Sequence, residues 1–293
     1  MAEPKGVEPK VVKPKKSAGG RPDFASLGGI LVGVGGIMTG LLLEGGKVKD
    51  VSQFTAALIV FGGTLGAVMI TTPLPVLLRA ARQIGSVFFD RAQAPDAIIE
   101  EIIGYATQAR KQGIVSLEQQ AAAIQDPFLR KALNLAVDGI DMSQIRSIME
   151  LEITLLEQDG EMEAKVFDAA GGYSPTVGII GAVLGLIQVM KNLANIDEVG
   201  RGIAVAFVAT VYGVASANLL FLPAASKLKA RVRDAVRIRE IMLEGVLSIV
   251  EGLNPKLIQT KLEAYRTQQP AQSKKSGAKA KVEAAGKPVS VEG

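Results

Sequence analysis

The sequence predicts an all-α membrane protein: four transmembrane helices, a helical cytoplasmic domain between spans two and three, and a cytoplasmic C-terminal helix. Three observations predict this class. The chain has 293 residues, 21% of them charged, yet four long runs hold no Asp, Glu, Lys or Arg: 24–43, 51–78, 169–190 and 202–226. A spanning helix needs about 20 mostly apolar residues to cross a hydrocarbon core of roughly 30 Å. Helices of a soluble bundle usually keep a polar stripe, which is why four buried soluble helices are the weaker reading. The basic residues also alternate in density from one side of these runs to the other, as membrane topology requires.

Composition narrows the chemistry. The chain contains no Cys and no His. That excludes disulfides, thiolate nucleophiles, Ser-His-Asp triads, and Cys- or His-ligated metal sites. What remains is chemistry carried by carboxylates, Lys, Tyr or hydroxyls, or by residues of a partner.

Residues 1–22, rich in Lys, Pro and Glu, read as a disordered basic arm. Residues 23–78 hold spans one and two. The arm is polar and the first apolar run is long, so this run reads as an uncleaved anchor and not as a signal peptide. Lys5, Lys10, Lys13, Lys15, Lys16 and Arg21 precede span one, whereas the turn 44–50 carries only Lys47 and Lys49. Arg79 and Arg82 follow span two. Lys227, Lys229, Arg231, Arg233, Arg237 and Arg239 follow span four. The positive-inside rule then places both termini and the long middle segment in the cytoplasm. The formal net charge of +4 is largely this orientation signal plus the tails, and nothing in it points to nucleic acid.

Residues 79–170 read as a helical domain. Ala94-Pro95 opens a helix to about Lys111, with Gly113 as its C-terminal cap. Ser116 with Gln119 has the spacing of a capping box. Asp126-Pro127 starts another helix that Gly139 ends. Ser143 opens a long helix to about Ala170, whose Glu150, Glu152, Glu157, Asp159, Glu161 and Glu163 read as a solvated face without metal-site spacing. Residues 171–226 hold spans three and four. There Gly171-Gly172 is expected to break the helix, and Ser174-Pro175 to restart it as N-cap and N1. Residues 227–266 continue into cytoplasmic helices, interrupted at Asn254-Pro255. Residues 267–293 read as a disordered tail, either simply solvated or drawn weakly to anionic lipid.

The spans are rich in small residues one turn apart. Gly29/Gly33, Gly36/Gly40, Gly62/Gly66 and Gly181/Gly185, with Gly202, Ala206, Ala209, Gly213 and Ala217, predict close helix contacts within one chain or between chains. The polar groups within the spans are uncharged, among them Thr64, Tyr173, Thr210, Tyr212 and Ser216. Thr210 can bond a carbonyl one turn back. A protein that moves ions through its own helices normally keeps an intramembrane ionisable group; here another chain would have to donate it. Gly40 to Gly46 approaches a phosphate-binding loop, but Gly46 stands where that loop requires Lys. No nucleotide site follows, and no cofactor is implied.

Four stretches carry a resemblance. LIVFGGTLGAVMITTPL (58–74), GGYSPTVGIIGAVLGLIQVM (171–190), AFVATVYGVASANLLFLPAASKLK (206–229) and IREIMLEGVLSIVEGLNP (238–255) resemble, in order, spans two, three and four and the C-terminal helix of the flagellar stator A subunit, the MotA/PomA family. The resemblance covers about residues 24–265. It implies a non-enzymatic ion-conducting subunit of the bacterial inner membrane, with five copies around a B-type partner that supplies the ion-carrying Asp. It also implies torque on the rotor switch protein FliG. Residue by residue, Pro175 and Pro223 match the two coupling prolines. Arg110 and Glu118 in RKQGIVSLE match the charged pair at the rotor, and Thr210 matches the threonine lining the ion path. Ala182 falls where sodium-driven relatives tend to carry Thr, which favours protons, since a methyl cannot coordinate a hard cation. Two other readings remain at this level: an energiser of envelope transport like the related ExbB/TolQ group, and a membrane scaffold without ion flow.

Overall fold

The computed structural model describes residues 21–90 and 94–266. The expected disordered arm (1–22) and tail (267–293) lie outside the described residues, except Arg21 and Pro22, which pair antiparallel with Phe89 and Asp90. Among the described residues the chain is helical apart from that two-residue pairing, and it divides into two compact units, one from the described parts of 1–92 and 160–230 and the other from those of 93–159 and 231–293. Among the described residues, four helical segments are long and apolar enough to cross a membrane, beginning at Phe24, Val48, Met142 and Ile196.

In the first unit, helix α1 (Phe24–Leu43) begins and ends with its charge-free run. Asp23 caps it, its carboxylate accepting from the N–H groups of Ala25 and Ser26 at 3.1 and 3.2 Å. Among the described residues none of this helix is fully buried, although a few such as Ile30 and Gly33 are half-buried. A helix that is apolar all round and mostly uncovered is stable only in lipid or against another subunit.

The second run is divided. Helix α2 (Phe54–Thr71) stops at Thr72, whose backbone is extended, and α3 (Leu74–Phe88) follows. Pro73 causes the break: its ring disfavours the helical conformation for the residue before it. The predicted span 51–78 is therefore a shorter membrane helix plus an amphipathic one. Val76, Ala80 and Val87 of α3 are buried, while Arg79 and Arg82 are exposed.

Helix α7 (Met142–Lys191) runs unbroken for 50 residues with Pro175 inside it. The expected break at Gly171-Gly172 and restart at Ser174-Pro175 do not occur. Two glycines cost a helix only about 1 kcal/mol each, and Gly171 is needed for packing: a Cβ there would lie 2.6 Å from the Leu222 side chain. Helix α8 (Ile196–Ser216) is capped by Asn195, and a five-residue π-helical segment, Ala217–Phe221, joins it to α9 (Leu222–Val250).

The core of this unit has two parts. Val68, Val76, Ala80, Phe167, Ala170, Ala225 and Leu228 form one cluster, and Ala56, Val60, Val208 and Ala209 the other. The Thr64 hydroxyl is buried beside Phe61, Val68 and Phe167 with no hydrogen-bond partner among the described residues. Leaving a buried hydroxyl unsatisfied costs about 1–3 kcal/mol. Thr64→Val, which keeps the shape, is therefore expected to raise the thermal midpoint of the purified protein; a lower midpoint would show that the hydroxyl is satisfied.

The second unit is a helical cluster closed by the helix that follows Asn254. Helix α4 (Pro95–Gln112) buries Ile98, Ile99, Ile102 and Ala106, and Gly113 ends it at φ +83°. The Ser116–Gln119 capping box does not form. Residues Ile114–Leu117 make a 3₁₀ turn instead, Ser116 donates to the Gly113 carbonyl at 2.7 Å, and α5 (Glu118–Ala121) follows without a side-chain cap. Leu117 is fully buried, and that anchorage sets the turn. Helix α6 (Pro127–Val137) is capped by Asp126 as expected. These helices pack on Ile145, Met149 and Ile153 of α7, on Ile241, Met242, Val246 and Leu247 of α9, and on Ile258 and Leu262 of α10 (Pro255–Arg266).

At the edge of this core, Glu244 pairs with Lys261 and with Arg146, the latter at 3.4 Å. Burial works to raise the Glu244 carboxyl, but the hydrogen bond and charge of Lys261, with Arg146, outweigh it and hold it below the ordinary glutamate range. A carboxyl held down in the folded state contributes stability above its unfolded pKa and loses it as pH falls through the folded value. Stability of this unit is therefore expected to decline on acidification, and Lys261→Met to flatten that acid limb in thermal melts taken against pH.

Candidate functional site

The third and fourth spans meet through their backbones. Added Cβ atoms at Gly178, Gly181 and Gly185 of α7 would lie 2.9 Å from the Ala209 carbonyl, 2.7 Å from the Ala209 Cβ and 2.7 Å from the Gly202 carbonyl. One at Gly213 would lie 2.6 Å from the Ser174 carbonyl and 3.3 Å from the Pro175 Cα. Higher positions on α7 thus meet lower positions on α8, giving an antiparallel contact with small residues at each crossing point. The other predicted pairs behave differently. An added Cβ at Gly29, Gly36, Gly40, Gly62 or Gly66 would meet nothing within 4 Å among the described residues, while one at Gly33 would approach Leu219.

The predicted ion-path residues flank this contact. Ala182 follows Gly181 and Thr210 follows Ala209, and both are half-buried. The Thr210 hydroxyl donates to the Ala206 carbonyl at 3.2 Å, which uses its proton and leaves its oxygen able to accept.

The two prolines mark the same region. Pro175 removes an N–H from α7 and sets its ring against the carbonyl of Gly171. Pro223 stands at the second position of α9, directly after the π segment. A widened turn before a proline takes up the mismatch that its missing donor and its ring impose on a helix. Pro223 is exposed and lines a cavity of about 600 Å³ with Ser26, Gly29, Ile30, Val87 and Lys227. Lys227, one turn past Pro223, pairs with Asp23, and Lys229 pairs with Asp168 at 2.5 Å.

In the other unit, Arg110 in the last turn of α4 and Glu118 at the start of α5 are both exposed, and neither joins an ion pair among the described residues. The connector between them is fixed: Gln108 donates to the Ser116 carbonyl at 3.1 Å, and Gln120 donates to Gln108. Two unpaired charges on a rigid turn can meet an outside partner without first breaking internal bonds.

Two features escaped sequence reasoning. The Ser174 and Ser216 hydroxyls lie 2.6 Å apart, joining α7 to α8. Tyr212 donates to the Val51 carbonyl at 2.5 Å and accepts from the Gln53 N–H at 3.2 Å, tying the entry of α2 to α8. All of these are polar residues within charge-free runs, which was a signal; their partners lie about 42 to 160 positions away, which was not.

Two family models match the chain: the MotA/TolQ/ExbB proton channel family over residues 120–241, and the Motility protein A N-terminal model over 27–112. Motility protein A of Bacillus subtilis (strain 168) is 37% identical over 247 residues, covering 83% of this chain and 90% of the relative. Chemotaxis protein PomA of Vibrio alginolyticus is 31% identical over 243 residues, covering 83% and 95%. Among solved structures, C. jejuni MotAB superposes with a TM-score of 0.80 at 32% identity, over 83% of this chain and 95% of that one. The flagellar MotAB stator complex of Bacillus subtilis gives 0.77 at 36% identity, over 83% and 96%. Sequence and fold comparisons agree over most of the chain, and on that agreement the chain belongs to the motility protein A family.

Proposed function

We infer that this chain is the A-type subunit of a flagellar stator and conducts ions together with a B-type subunit. The observation that carries this reading is the absence of Asp, Glu, Lys and Arg from all four charge-free runs in a chain of a proton channel family. A charge cannot cross such spans on the chain's own groups, so a partner supplies the carrier. The match of residues 27–112 to the N-terminal model of motility protein A favours the stator over an ExbB/TolQ-like energiser.

The finer picture follows the same line. Five copies surround two B subunits in the inner membrane, with both termini, the second unit and the last helix on the cytoplasmic side, as the Lys and Arg distribution supports. Thr210 and Ala182 line the ion path, and the methyl at Ala182 supports protons over sodium. Pro175 and Pro223 couple ion binding to movement, and Arg110 and Glu118 face FliG. The driving energy is about 2.3 kcal/mol per elementary charge per 100 mV.

Co-expression with the neighbouring B-type gene product tests the core of this reading. Co-purification, with A in excess, and loss of motility on deletion are expected; no complex and intact motility would overturn it. Swimming should track the proton potential, and swimming that tracked sodium instead would overturn the role given to Ala182. Reversing both Arg110 and Glu118 should reduce swimming speed modestly, because exposed charges are worth little one at a time. Unchanged speed would leave these two as merely solvated.

A further inference from the structure

We propose that the Ser174–Ser216 hydroxyl pair is the positioning contact that makes Pro175 and the π segment before Pro223 move as one element. The proposal rests on the stator reading and on the coupling role of the two prolines.

The two serines sit at matched places. Ser174 directly precedes Pro175, and Ser216 is the last residue of α8, directly before the π segment at Ala217. Their oxygens lie 2.6 Å apart. Ser216 also donates to the Gly213 carbonyl at 3.2 Å. A hydroxyl has one proton, so with that bond made, Ser174 is the donor to Ser216. Ser174 is fully buried, in surroundings where a hydrogen bond has little competition from water.

Two packing contacts bracket the bond. On one side Gly213 lies under the Ser174 carbonyl and the Pro175 Cα. On the other, Gly171, whose carbonyl faces the Pro175 ring, lies under Leu222, the residue before Pro223. The two proline-disturbed stretches are therefore clasped at three points within a few residues. Two of the three are close packing contacts with no directional bond. The hydroxyl bond is directional and defines the register, so a change of bend at Pro175 carries Ser216 and the π segment with it.

The test uses the full complex in cells lacking their own A subunit. It measures torque per engaged complex, read from the discrete speed steps as complexes join a motor, beside the amount of complex recovered with its partner. Ser174→Ala and Ser216→Ala are each expected to lower torque per complex severalfold at normal recovery. The double variant should be no worse than either single one, and Ser216→Thr, which keeps the hydroxyl, should retain torque. A purely structural role would lower the number of engaged complexes and leave the torque of each unchanged, which would overturn the proposal. So would additive losses, or Ser216→Thr failing like Ser216→Ala. If buried Ser174→Ala fails to assemble, the half-buried Ser216 variants still decide. Pro175→Ala and Pro223→Ala serve as controls. If these lose torque and the serine variants do not, this inference alone fails; if the proline variants keep full torque, the coupling reading beneath it fails as well.

Discussion

Pro223→Ala is expected to abolish torque while the complex still assembles. Alanine restores the N–H that proline lacks and removes the ring, so the reasons for a widened turn at Ala217–Phe221 disappear together. The helix from Ile196 to Val250 should then regularise to a continuous α-helix. The side chain lost is exposed and lines a cavity, so little packing is lost with it and the fold should hold or gain stability. Recovery of the complex at normal levels with rotation reduced below detection is the expected result. Normal swimming would remove Pro223 from the coupling mechanism, and lost assembly would move its role to the fold.

Gly213→Val should have a large effect of the opposite kind, a marked drop in the folded subunit. The new Cβ would start 2.6 Å from the Ser174 carbonyl oxygen and 3.1 Å from the Gly178 Cα. Those are backbone atoms of a helix that is itself packed, and they cannot swing aside as a side chain could. Overpacking of this kind typically costs 1–3 kcal/mol and occasionally more, against a total stability of about 5–15 kcal/mol for an ordinary domain. The measurement is the amount of complex recovered in membranes. Near-normal recovery would mean that α7 and α8 can separate without penalty, which would also remove the basis for a tight coupling contact there.

Much of the architecture was legible because it follows from local rules. The bounds of α1 came from Asp23 and Glu44, the nearest charges on either side. The ends at Gly113 and Gly139 came from residues that alone adopt positive φ without strain. Asp126-Pro127 marked a helix start by cap and first-turn chemistry together. What failed were the places where a non-local contact outweighs a local preference. Gly171-Gly172 reads as a break, yet it is the point where Leu222 comes closest. Ser116 has a capping spacing, yet buried Leu117 winds the turn another way. Val51 to Leu78 reads as one span because no charge interrupts it, though Pro73 is visible in it. Of the candidate site, the prolines and Thr210 were singled out through resemblance. The Ser174–Ser216 pair was not, because nothing in the chain shows which of several hydroxyls will face which.

Helix α1 carries one more consequence. With none of its described residues fully buried by the rest of the chain, α1 is specified within the chain more by solubility in lipid than by shape. Its sequence encodes one quantity, hydropathy, spread over many interchangeable positions. Exchanges among apolar residues at Leu31, Val32 or Leu43 should therefore be nearly silent within the chain, whereas one Arg at mid-helix should cost about 2.5–3.5 kcal/mol of insertion. The information that must be copied faithfully lies elsewhere, at the few glycines and serines where α7 and α8 touch.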